Sequence, residues 1–298
     1  MEKCSSLKIL LNQLDNFTSL TTFDIRWYKK LTLLPSKLGS PTFLTTLKIN
    51  GCFSFTSSRK ELSNLISLAI FNISWCKSLT SLPNELGNLT SLTILKINGC
   101  FSFTSSPNEL GNFTSFTTLD ISLCARCLSL ISLPNELGNL TSLTTLKIIG
   151  CFSFTSSLNE LGNFTSFTTL DISLWCLSLI LLPIELGNLT SLTTLKINGC
   201  FSFTSLPNEL SNLTSLTTLN MDKCSILTSL PNKLDNFTSL ITLNIEHLIS
   251  LTTLDISLCS SLTSFFNELS DLTPLTTLKI WRCTSLISLP NELGNFTS

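Results

Sequence analysis

Charge is scarce in this chain. Of 298 residues only 12% are Asp, Glu, Lys or Arg, and the formal net charge is −1. Such a balance gives no long-range field to steer the protein onto nucleic acid or an anionic membrane. The nearest approach to a block of like charge is Lys29-Lys30. Histidine occurs once, at His247, which excludes a repeated His-based triad and any His-x-x-x-His metal pair. No glycine is followed by lysine, so the phosphate-cradling GxxxxGK[ST] loop is absent, and neither GxGxxG nor GxSxG occurs. No apolar run approaches the roughly 18 residues of a membrane helix. The opening residues, MEKCSSLKILLNQLDNF, hold only the run LKILL, short of the about 7–15 residues of a signal-peptide core. The expectation is a cytoplasmic protein that is not an enzyme, with no cofactor, no metal, and no nucleic-acid or membrane partner.

What the chain does have is a period. Hydrophobic residues make up 43% of it, and Ser and Thr fill most of the polar positions. The stretch LTTLKINGCFSFTSLPNELSNLTS, from Leu192 to Ser215, places apolar residues at Leu192, Leu195, Ile197, Cys200, Phe203, Leu206, Leu210 and Leu213. Complete units of this pattern begin at Leu20, Leu44, Leu68, Leu92, Phe116, Leu143, Phe167, Leu192, Leu216, Leu251 and Leu275, most of them 24 residues long. Alternation through Leu195, Lys196, Ile197 and Asn198 predicts a short strand with one buried face. Pro207, Glu209 and the Leu210/Leu213 spacing predict a turn or two of helix or 3₁₀ with its apolar side inward. One strand and one return segment cannot bury their apolar edges alone, whereas stacked copies form a solenoid with a parallel sheet.

Residues 1–19 read as a partial repeat, 20–239 as the main stack, 240–250 as an irregular short repeat, and 251–298 as two further repeats without a polar cap. The missing cap suggests a fragment of a larger protein. At 240–250 one strand pattern, LITLNIE, is followed at once by another, LTTLDIS. Consecutive parallel strands need a crossover of about a dozen residues, so one of 240–246 and 251–257 is expected to be extruded as a loop.

Ten of the twelve cysteines (Cys4, Cys52, Cys76, Cys100, Cys124, Cys151, Cys200, Cys224, Cys259 and Cys283) share one repeat position, where a small buried side chain fits. Cys124-Ala-Arg-Cys127 lacks the second ligand pair of a zinc site. Ten N-x-S/T triplets occur, nine at one position of the return segment, and repeat copying accounts for them without glycosylation. Along the strands the central polar position alternates Lys96, Asp120, Lys147, Asp171 and Lys196, a self-neutralising charge ladder on the concave face. The candidates for partner binding are departures from the copied pattern: Arg26, Trp27, Tyr28, Trp75, Asp222, Lys223, Glu246, His247, Trp281 and Arg282. Trp, Tyr and Arg are enriched at interface hot spots.

The pattern L-x-x-L-x-L-x-x-C, quoted from LTTLKINGC and LPNELGNLTSL, resembles the leucine-rich repeat across essentially the whole chain. That resemblance implies an α/β horseshoe with a concave parallel β-sheet and short helical, 3₁₀ or irregular segments on the convex side. Cys at the turn and LP-x-x-L in the return segment look like the intracellular repeats of plant-type disease-resistance receptors. This likeness implies protein partners, and effector or ligand sensing in defence; the nucleotide-binding module of such receptors is not in this sequence. The alternatives are an extracellular glycosylated receptor ectodomain and a truncated repeat product with no selected activity.

Overall fold

Each repeat starts its strand two residues after its leading Leu or Phe. The reason is local: Thr-Leu-x-Ile sequences put Leu and Ile on one face of an extended segment and Thr, Lys, Asp or Asn on the other. A computed structural model describes residues 19–34, 38, 43–56, 62, 64–104, 113–122, 135–152, 158–174, 177–231, 234–266, 272 and 274–287. The chain divides into two compact units, Met1–Cys151 and Phe152–Ser298.

In the first unit six strands stack in parallel: β1 (Thr22–Arg26), β2 (Thr46–Asn50), β3 (Ile70–Ser74), β4 (Ile94–Asn98), β5 (Thr118–Ser122) and β6 (Thr145–Ile149), each paired with the next. The register is in phase, so equivalent repeat positions meet: Asp24 opposite Lys48, Lys96 opposite Asp120, Asp120 opposite Lys147. In the second unit β7 (Thr169–Asp171), β8 (Thr194–Lys196), β9 (Thr218–Asn220) and β10 (Thr242–Asn244) stack in the same way. Within each unit the turns form a solenoid. Leu47, Ile49, Leu95 and Ile97, and in the second unit Ile197 and Leu243, are fully buried and form the core columns.

The polar composition has a structural use. Thr93, Thr117 and Thr217 each donate a hydroxyl hydrogen bond to the carbonyl of the residue one turn earlier, at 2.9–3.1 Å. The cysteine column does likewise from inside: Cys76, Cys100, Cys200 and Cys224 donate their thiols to the carbonyls of Ile49, Ile73, Ile172 and Ile197. These cysteines are buried, whereas Cys283 is half-exposed. Burial pushes the Cys52 thiol up to about 11 and raises that of Cys283 as well. Alkylation needs an accessible thiolate, so in the native protein Cys283 is expected to react with iodoacetamide before Cys52, Cys76, Cys100, Cys200, Cys224 or Cys259. Peptide mapping that found early labelling at Cys100 or Cys200 would contradict this packing. Cys4, Cys124 and Cys127 lie outside the described residues, as does most of the partial repeat at 1–19 and the chain end at 288–298.

The return segments contain 3₁₀ turns at Asn84–Asn88, Asn135–Asn139, Asn159–Asn163, Ile184–Asn188, Asn208–Asn212 and Leu234–Asn236. Pro83, Pro183 and Pro207 precede three of them in extended conformation, and Leu86, Leu186 and Leu210 turn inward. Among the described residues no helix is long and apolar enough to cross a membrane.

At 240–257 the expected loop does not form. Both segments are strands, and they are not paired with each other. The strand β10 is followed in its sheet not by β11 (Thr253–Asp255) but by β12 (Ser264–Phe266). Strand β11 pairs instead with β13 (Thr277–Lys279) and is bridged to Ser229 in the return segment of the previous turn. Leu240 to Leu251 spans the same number of residues as Leu216 to Leu227. A strand-like sequence therefore occupies the place of a return segment, and the stack continues half a turn out of phase. Leu251 and Leu254 are fully buried there, as is Leu227 one turn earlier.

Candidate partner-binding surface at the strand exits

Among the described residues, the chain leaves its strands through a left-handed residue. Gly51, Gly99, Gly150 and Gly199 serve at φ 64–74°, and Trp27, Trp75, Leu174, Lys223, His247, Leu258 and Arg282 serve at φ 56–65° at the equivalent place. The turn is fixed by a backbone bond to the next rung: Trp27 and Trp75 donate to the carbonyls of Asn50 and Asn98 at 2.7 Å, Lys223 to that of Glu246 at 2.9 Å. Glycine tolerates this conformation freely, but each non-glycine residue there costs about 1–2 kcal/mol.

In the first unit the two tryptophans use the glycines beside them. The Trp75 ring lies against Gly99, so close that an added Cβ would come within 2.8 Å of it, and Trp27 covers Gly51 in the same manner. Their outer faces stay open, at 41% and 40% exposure. Trp27 and Trp75 also meet the half-buried Phe53 and Phe101 edge-on, with centroids 6.4 and 5.8 Å apart. Lys29 and Lys77 sit over the Phe53 ring at 5.8 and 4.6 Å. The result is an aromatic strip with a basic edge. Of the Phe101/Phe103 and Phe201/Phe203 pairs one member is core, since Phe103 and Phe203 are fully buried while Phe101 and Phe201 are not.

Arg26 lies at the end of β1 and clasps Asp24 through Nε and a terminal nitrogen, at 3.0 and 2.7 Å. That hydrogen bond, aided by the guanidinium charge and opposed by partial burial, holds the Asp24 carboxyl below its ordinary value of 3.8. The pair's stabilisation is therefore present above that value and is lost as pH falls through the depressed one. Arg26→Gln is expected to return the Asp24 midpoint towards 3.8 in a carboxyl-carbon NMR titration. An unchanged midpoint would remove Arg26 as the cause. Tyr28 is half-buried.

In the second unit four of the sequence candidates converge. Asp222 and Glu246 each follow a strand and receive the same turn, their backbone N–H groups donating to Asn220 Oδ1 and Asn244 Oδ1 at 3.1 Å. His247 Nδ1 lies 2.9 Å from Asp222 Oδ1, and Lys223 Nζ lies 3.3 Å from Asp222 Oδ2. Trp281 and Arg282 are separate from this group and stack on each other at 5.2 Å, at the exit of β13. There Lys279 pairs with Asp255 at 3.4 Å. Burial raises the Asp255 carboxyl, but hydrogen bonds from Ser257 and Lys279 outweigh it and the net direction is down.

Lys96, Asp120 and Lys147 share one column in the first unit, and Asp171 and Lys196 share one in the second. Lys96, Asp120, Lys147 and Lys196 are half-buried on the polar side of the sheet and Asp171 is 8% exposed. Asp120 accepts a hydrogen bond from Ser122 on its own strand. Eight of the ten candidates thus fall into an aromatic strip, a charged cluster and a cation–π pair, and Arg26 pairs with Asp24.

A family model for a leucine-rich repeat region matches residues 19–180, more than half of the chain. The chain belongs to the leucine-rich repeat family. No curated protein sequence matches it. Among solved structures, the leucine-rich repeat domain of the type III effector XopL is similar at 21% identity, with a TM-score of 0.65 over 78% of this chain and 80% of that one. The Arabidopsis receptor kinase HAESA, solved with the peptide hormone IDA and the co-receptor SERK1, is 20% identical with a TM-score of 0.52, over 94% of this chain and 49% of that one. TLR13, solved in complex with an RNA, is 19% identical with a TM-score of 0.53, over 94% and 46%. This leucine-rich repeat chain thus spans about half the length of those two receptors. At such identities the likeness is one of fold. Leucine-rich repeat folds typically serve protein–protein interaction, and the strand exits of this one carry the residue types that such contacts use.

Proposed function

We propose that this leucine-rich repeat chain is a protein-interaction scaffold whose partner binds along the strand exits, with Trp27 and Trp75 as anchors and Lys29 and Lys77 favouring an acidic rim on that partner. The observation that carries this reading is the left-handed column. Glycine serves at Gly51, Gly99, Gly150 and Gly199, yet Trp27, Trp75, Lys223, His247 and Arg282 hold the same backbone at an energetic cost. Strain kept where a cheaper residue suffices points to selection on the side chain. A role in intracellular ligand sensing, as in plant-type disease-resistance proteins, is the biological setting we infer, with the low net charge of −1 favouring a protein over a nucleic-acid partner.

Site-specific photo-crosslinking tests it. A photoreactive residue replacing Trp75 is expected to trap a partner from the native source, and one replacing the exposed Ile184 is not. Equal trapping from both positions, or trapping from Ile184 alone, would overturn the assignment.

The extracellular reading has one observation in its favour. Asn88, Asn139, Asn163, Asn188 and Asn212, each in an N-x-S/T triplet, are exposed at the last residue of a 3₁₀ turn. A glycan-free mass of 32.8 kDa for the chain from its native source would dismiss it.

A further inference from the structure

The charged cluster in the second unit has a geometry that partner binding does not require. Asp222, Glu246 and His247 each bring one metal-ligating atom to within 4.8 Å of the others. We propose that these three residues form a binding site for a divalent transition-metal ion of the zinc class.

Three features of the cluster support this. Two donors about 2.05 Å from one tetrahedral ion stand about 3.3 Å apart, and His247 Nδ1 and Asp222 Oδ1, which share a hydrogen bond, are 2.9 Å apart. The two donors therefore need to part by only about 0.4 Å for an ion to take the place of the shared hydrogen. Second, the framework is rigid: Asp222 and Glu246 occupy equivalent places on consecutive rungs, each held by an Asn acceptor two residues earlier. His247 follows Glu246 directly in the left-handed conformation, at φ 57°. The exposed rim leaves room for water to complete the shell. Third, two carboxylates on adjacent rungs repel each other, and a divalent ion between them removes that repulsion. One imidazole with two carboxylates suits zinc or a neighbouring transition metal rather than the all-oxygen shells of magnesium and calcium. Lys223 is the competitor. Its ammonium lies 3.3 Å from the second oxygen of Asp222, on the carboxylate oxygen that does not face His247.

The chain's single histidine makes the test clean. In protein labelled with ¹³C at histidine, the imidazole C–H signals belong to His247 alone, so zinc held by cysteines elsewhere does not register. Titrating zinc chloride into the full chain is expected to shift those signals to saturation at one equivalent. The isosteric Asp222→Asn and Glu246→Gln variants are expected to weaken binding at least about tenfold, since even changes behind the ligands weaken metal sites that much. Lys223→Gln is expected to tighten it about two- to fivefold by removing an exposed competing charge. Signals that stay in place in large zinc excess would overturn the proposal. So would equal affinity in the wild type and Asp222→Asn, because that is the behaviour of a lone surface imidazole.

Discussion

Gly99→Val is expected to destabilise the protein by about 2–5 kcal/mol, the sum of a left-handed backbone forced on a branched residue and a steric clash. Gly99 sits at φ 64°, and its missing Cβ would lie 2.8 Å from Cδ2 and Cε3 of Trp75. The indole also meets Phe101 edge-on, so moving away from Gly99 disturbs that contact. The two contributions separate in a double-mutant cycle. In the background of Trp75→Ala the clash disappears while the backbone strain remains, so the same substitution is expected to cost about 1–2 kcal/mol there. Urea denaturation of the four proteins checks this. A cost that is the same in both backgrounds would show that the ring does not rest on Gly99.

Phe116→Ala is expected to cost about 3–5 kcal/mol, the usual loss when a buried aromatic leaves a cavity. Phe116 is fully buried and touches Phe113, with ring centroids 5.2 Å apart. The same column holds Leu92 one turn before and Leu143 one turn after, both fully buried. The scaffold therefore already accommodates leucine at this place, and Phe116→Leu is expected to cost less than about 1.5 kcal/mol. Denaturation midpoints that put the Leu and Ala variants together would mean that the column is not interchangeable between turns, contrary to the in-phase register.

The strands, the buried cysteines and the 3₁₀ turns were legible because each repeats at a fixed period, so that a single copy predicts all the others. Leu195 and Ile197 inward, Pro207 before a short helical turn, and Phe203 in the core follow from the pattern alone. The half-turn shift at Leu251 was not legible for the opposite reason. The Leu240–Leu251 spacing equals the spacing within an ordinary unit, so the sequence presents two strand starts and does not say which column the second one joins. The conformation of the strand exits carried a signal that pattern reading passed over. Glycine recurs at positions 51, 99, 150 and 199, at the exit from a strand, which is the mark of a left-handed residue. That would have linked Trp27, Trp75, Lys223, His247 and Arg282 as one structural class. The approach of Asp222 to His247 was likewise available, since residues one period plus one apart are diagonal neighbours in a stack. Reading the residues one at a time separates them.

The strand exits, and not the return segments, are expected to make the partner contact. The measurement that tests it most directly is the affinity of the photo-trapped partner, once identified, for three forms of the chain. Wild type is compared with the Trp27→Ala/Trp75→Ala double variant and with a return-segment control, Ile184→Ala. The prediction is that the double variant weakens binding by about 2 kcal/mol or more, the scale of buried aromatic hot spots, and that the control leaves it unchanged. An unchanged affinity in the double variant, with a loss at Ile184, would contradict the account.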